Sequence, residues 1–146
     1  MVGMTSAPDT DTPATTQPLM SRPGAALAAD LALVIVFVVL GRRSHGEQSA
    51  VAGTLHTAWP FLAGAAAGHA VVEATKLPRT SLKAGGVVVG STVAVGMGLR
   101  GVVQHDVTPP SFIAVATSFL ALLLLGWRWS AGKLSARQSG VRKAPE

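Results

Sequence analysis

The sequence predicts an all-α fold: an integral membrane four-helix transmembrane bundle between disordered N- and C-terminal tails. Three observations carry that prediction. Four apolar stretches of 17 to 20 residues recur along a chain of 146, and about 20 apolar residues are what a helix needs to cross the hydrocarbon core. Hydrophobic residues make up 49% of the chain and charged ones only 13%, far from the balance of a soluble domain. The Lys and Arg residues cluster at the ends of the apolar stretches, where membrane topology places them.

Residues 1–24 are rich in Thr, Pro, Ser and Ala, with Asp9 and Asp11 and no apolar periodicity. Such a segment buries too little surface to offset its ordering entropy, so it reads as a disordered tail. The first span follows, "AALAADLALVIVFVVLG" over residues 25–41, with Asp30 as its one charge. Its rise of about 25 Å sits near the lower limit for crossing. A cleaved signal peptide is disfavoured, because the basic pair Arg42 and Arg43 comes after the apolar run rather than before it.

The second span is expected over residues 55–74, with a turn at Pro60, and the third over 84–103. The fourth, over 111–129, is entered through Pro109 and Pro110, whose missing N–H groups suit a helix start. Residues 130–146 are polar and basic and read as a second tail. Four spans put both tails and the central loop on one side. That side collects Arg22, Lys76, Arg79, Lys83, Arg128, Lys133, Arg137, Arg142 and Lys143, nine of the twelve basic residues; Arg42, Arg43 and Arg100 fall on the other. The positive-inside rule then makes both termini cytoplasmic in a multi-pass plasma-membrane protein.

Inside lipid, helices associate through close approach of small residues rather than through hydrophobicity. Gly86, Gly90, Ala94 and Gly98 recur every fourth residue in the third span, and Gly64 and Gly68 do so in the second. These are the expected packing faces, within the bundle or between copies. The expected partners are membrane lipids, further copies of the chain or another membrane protein. The net charge of +5 lacks the interleaved aromatics of a nucleic-acid surface, so nucleic acid is not expected.

Two sets of residues could carry chemistry. Ionisable groups inside a membrane segment are costly and mark functional sites; Asp30, with His69 and Glu73 spaced i, i+4, forms one such set at the inner end, suited to a proton or cation relay. The simpler alternative is that Glu73 is an interfacial charge near Lys76 and Asp30 accepts hydrogen bonds near a helix start. The second set lies at the outer mouth: Arg42, Arg43, His45, His56, Arg100 and His105, supported by Trp59. Its guanidinium forks match carboxylate or phosphate groups, or else snorkel to headgroups. Histidines there with Glu47 and Asp106 resemble zinc ligands in type but lack ligand spacing, so no metal and no cofactor is expected. No nucleotide-binding, serine-hydrolase or zinc-protease motif occurs, and with no cysteine there is no thiolate chemistry; the chain leans away from being an enzyme. A small transport or channel-like component fits these features, with an accessory or scaffold subunit as the alternative.

The segments "VFVVLGRRSHG", "GTLHTAWPFLAGAAAGHAV", "GMGLRG" and "SFIAVA" together resemble the family of small prokaryotic membrane proteins called domain of unknown function 3054 (DUF3054). The resemblance spans about Asp30 to Arg128. It implies a four-helix integral membrane protein and carries no activity. Its motif positions are Gly41, Arg42, Ser44 and His45, then Thr57, Trp59, Pro60 and Phe61, then Met97 and Arg100, all at the expected outer end.

Overall fold

A computed structural model describes residues 24–44, 51–105 and 109–141. The N-terminal tail, His45, Glu47, Asp106, Arg142 and Lys143 lie outside the described residues. Four α-helices account for nearly all of what is described: α1 (Ala25–Ser44), α2 (Val51–Ala74), α3 (Leu82–Val103) and α4 (Pro110–Val141). Each packs on its neighbours in the chain, and α1 closes the ring onto α4; α2 and α3 share the broadest interface.

The helix ends follow from local chemistry. Gly24, at φ 88°, leads into α1, and Pro110 opens α4 as its spacing predicts. Ser81 caps α3, its hydroxyl accepting from the Ala84 N–H at 3.1 Å. α2 ends in a Schellman motif, with Leu77 N–H donating to Val72 C=O and Lys76 N–H to Glu73 C=O. That motif puts Lys76 at φ 55°, where glycine would be unstrained.

Three helices are long and apolar enough to cross a membrane: α1 over Ala25–Arg43, α3 over Leu82–Val103 and α4 over Pro110–Leu134. No more than 28% of any of these stretches is buried in the chain, and Ile35, Val36, Leu40, Val102, Val115 and Leu122 stand exposed. So large an apolar surface calls for lipid or a partner rather than water. Of the four spans expected, α2 falls outside this set, since Thr54, His56, Thr57, His69 and Glu73 dilute its apolar character. One face of it is buried, through Ala58, Pro60, Phe61, Gly64, Ala65, Gly68, His69 and Val72.

The bounds differ from hydropathy in two places. α2 begins at Val51, before the apolar run starts, and Pro60 lies within continuous helix instead of at a turn. Proline removes the donor that would bond the His56 carbonyl four residues back; the Gln104 side-chain amide supplies it from the end of α3, at 2.7 Å. α4 runs on to Val141, helped by Ala131, Lys133, Leu134, Ala136, Arg137 and Gln138, which are good helix formers although the stretch is polar. The core joins Val34, Phe37 and Val38 of α1 to Phe61, Val88, Leu120 and Leu124. Phe37 meets Phe61 edge-on, with centroids 5.7 Å apart.

Small residues set the α2–α3 approach. A Cβ on Gly64 would lie 2.8 Å from the Thr92 Cα, and one on Gly68 2.8 Å from the Val88 Cα. The Ser91 hydroxyl crosses this interface to the Gly64 carbonyl at 2.9 Å. On α3, the inward small residues are Gly85 and Gly96, the first against Leu125 and Arg128 and the second against Phe61. Gly86, Gly90 and Gly98 have open space beside them and Ala94 is exposed, so within one chain the expected α3 stripe faces outward.

Candidate functional site

Asp30 sits about 8 Å along α1 from its start, His69 the same distance from the end of α2, and Arg128 on α4. The up-down course of the chain brings these three points to one depth. Asp30 is fully buried, Arg128 is 1% exposed and His69 6%. Arg128 holds Asp30 through both fork nitrogens: Nη1 donates to Oδ1 at 2.9 Å and Nη2 to Oδ2 at 2.6 Å. The Trp127 indole N–H donates to Oδ1 at 2.8 Å. His69 Nε2 lies 2.7 Å from Oδ2, and because an ionised carboxylate only accepts, that nitrogen carries the proton.

The carboxylate is saturated. Each Asp30 oxygen receives two donors, the capacity of a carboxylate. Of its three other N–H groups, Arg128 gives one from Nη1 to the Leu124 carbonyl at 2.8 Å and the one on Nε to the Arg79 carbonyl at 3.2 Å. Its guanidinium also lies over the Trp127 ring, 4.5 Å from the centroid. Gly85 gives the arginine stem its room, since a Cβ there would sit 2.8 Å from the Arg128 side chain. One carboxylate therefore ties α1 to α2 and α4, and Arg128 extends the tie to the α2–α3 connection. With neutral His69 the cluster sums to zero charge, the condition under which ions are tolerated out of water.

Of the intramembrane set, Asp30 and His69 meet directly, whereas Glu73 turns away. It pairs with Arg79, Nη2 to Oε2 at 2.7 Å, on an exposed surface. Hydrogen bonding to Glu73 holds the Arg79 guanidinium above its ordinary value. The charge distribution along the sequence places Arg128 among the cytoplasmic charges, and no motif singles out Trp127. The signal that could have found them is an arginine within the apolar run "LLLLGWRW", opposite in sign to Asp30 and at the same expected depth.

The residues expected at the outer mouth are arranged differently. Arg42 Nη1 donates to the Thr57 hydroxyl at 3.0 Å, which donates in turn to the Gly53 carbonyl, bracing α1 on α2. Arg100 lies over the Phe112 ring of α4, 5.6 Å from its centroid. Arg43, His56 and His105 are exposed, and Trp59 is 37% exposed.

A family model described as "Protein of unknown function (DUF3054)" matches residues 27–131. The chain belongs to this family. The matched stretch holds Asp30, His69, Trp127 and Arg128 together, so the cluster lies within the DUF3054 region and not in an appended tail. No curated protein and no solved structure matches the chain.

Proposed function

We propose that this DUF3054 protein is a multi-pass plasma-membrane protein whose four helices all cross the bilayer, with both termini cytoplasmic, and that it works as a small proton-responsive transport component. One observation carries the reading: His69 Nε2 and Arg128 Nη2 share a single buried oxygen, Asp30 Oδ2. A proton taken up by His69 converts a neutral cluster into one with a net positive charge and sets two cations against one carboxylate. Arg128, near the inner end of the expected fourth span, is the partner able to withdraw toward headgroups by snorkelling. Loss of the proton restores the bidentate pair. The cluster thereby couples protonation at the cytoplasmic end to the packing of α4, as ionisable relays in membrane proteins do.

The test is proton entry into vesicles that contain the purified protein, an entrapped pH dye and an imposed potential. Wild-type vesicles should acidify faster than protein-free ones. His69→Gln, which keeps a donor for Asp30 but cannot titrate, and Asp30→Asn should return the rate to the protein-free level. A folded wild-type chain with no flux above protein-free vesicles overturns the proton-coupled reading. It would leave an accessory subunit, favoured by the open α3 face at Gly86, Gly90 and Gly98.

A further inference from the structure

A shallow groove runs between α3 and α4 on the outside of the bundle, bounded by Leu82, Ala121, Leu122, Leu125 and Trp129. Along α4, from Ser118 to Trp129, it extends about 17 Å. The lining is apolar, and the one hydroxyl in it, on Ser118, is spent on the Ala114 carbonyl at 2.8 Å. Gly126 leaves the floor open, with nothing within 4 Å of where its Cβ would be.

The two ends of the groove differ in charge. At the end where α3 begins, Lys83 follows Leu82 in the chain and is exposed. There too the Lys133 ammonium lies 3.9 Å over the Trp129 ring, which is 56% exposed. Neither α3 nor α4 contains an Asp or Glu, and Glu73, in the last turn of α2, is already bound to Arg79. An apolar trough with two cations and an indole at one end has the polarity of a single amphiphile: hydrocarbon along the trough, anion at the cationic end, indole at headgroup depth.

We infer that this groove is a binding site for an anionic phospholipid, with an acyl chain against Leu122 and Leu125 and the phosphate between Lys83 and Lys133. The site rests on the membrane reading above but not on proton coupling. A protein helix would not need cations at one end only, and free phosphate would leave the apolar part unfilled.

Native mass spectrometry of the full chain, extracted in detergent with equal amounts of phosphatidylglycerol and phosphatidylethanolamine, tests the site. One lysine beside an anionic headgroup is worth about a fivefold preference, so wild type should retain phosphatidylglycerol at least about fivefold over phosphatidylethanolamine. Lys83→Gln with Lys133→Gln should abolish the preference, and Leu122→Trp, an exposed position whose change fills the trough, should abolish retention of both lipids. Inorganic phosphate added alone should remain unbound. Equal retention by wild type, unchanged retention in Leu122→Trp, or capture of inorganic phosphate overturns the site. A membrane-extracted chain without lipid preference defeats the groove alone, whereas recovery of the chain in the soluble fraction defeats the membrane reading with it.

Discussion

Replacing Arg128 by methionine is expected to destabilise the bundle by about 3–5 kcal/mol, because it strands the Asp30 carboxylate in a buried site without its counter-charge. The unfolding midpoint in mixed detergent measures this. Asp30→Leu should cost a similar amount by stranding the arginine, and the two losses should not add, since both remove the same pair. Replacing the whole cluster by apolar residues, Asp30→Leu with His69→Met and Arg128→Met, should return stability to within about 1–2 kcal/mol of wild type, as apolar substitution of buried ion networks commonly does. That triple variant would be well folded yet unable to respond to protons. Stability alone therefore gives no reason to keep three ionisable groups where leucine and methionine would serve, and this is the argument for reading the cluster as a working site. A triple variant as unstable as the singles would make it a structural staple instead.

The second large effect belongs to the α2–α3 crossing. Gly64→Val and Gly68→Val each place a Cβ 2.8 Å from a backbone Cα of α3, a contact that no side-chain rotation relieves. The helices must separate, taking with them the Ser91 to Gly64 hydrogen bond. The expected loss is about 3 kcal/mol, at the upper end of overpacking effects. Gly86→Val, open to its surroundings within the chain, should unfold at the wild-type midpoint under the same conditions. A wild-type midpoint for Gly64→Val would mean that α2 and α3 do not meet as described.

Much of this arrangement is legible in the sequence, and the exceptions have physical causes. Apolar run length and Pro110 place α1, α3 and α4, because spanning length and helix-start chemistry are local properties. The Gly64–Gly68 spacing points to the face of α2 that meets α3. On α3 the same logic chose the regular stripe beginning at Gly86, while the inward face carries Gly85 and Gly96; regular spacing gives a face but not its direction. Asp30 and His69 stand out as ionisable groups in apolar surroundings. Arg128 was hidden by a rule that assigns arginines near span ends to the cytoplasm, although the long α4 carries it into the bundle. Glu73 looked like part of the site by its i, i+4 spacing from His69, but the loop after α2 returns Arg79 to it.

The central claim is that α2 crosses the membrane and carries His69 to Asp30 and Arg128 at the cytoplasmic end. Because the natural chain has no cysteine, single cysteines can be labelled from one side at a time in intact cells. With Val51→Cys, Thr80→Cys and Ala136→Cys, the prediction is labelling of Val51→Cys from outside only, and of the other two from the cytoplasm only. Labelling of Val51→Cys and Thr80→Cys from the same side would show that α2 does not cross, and would contradict the account.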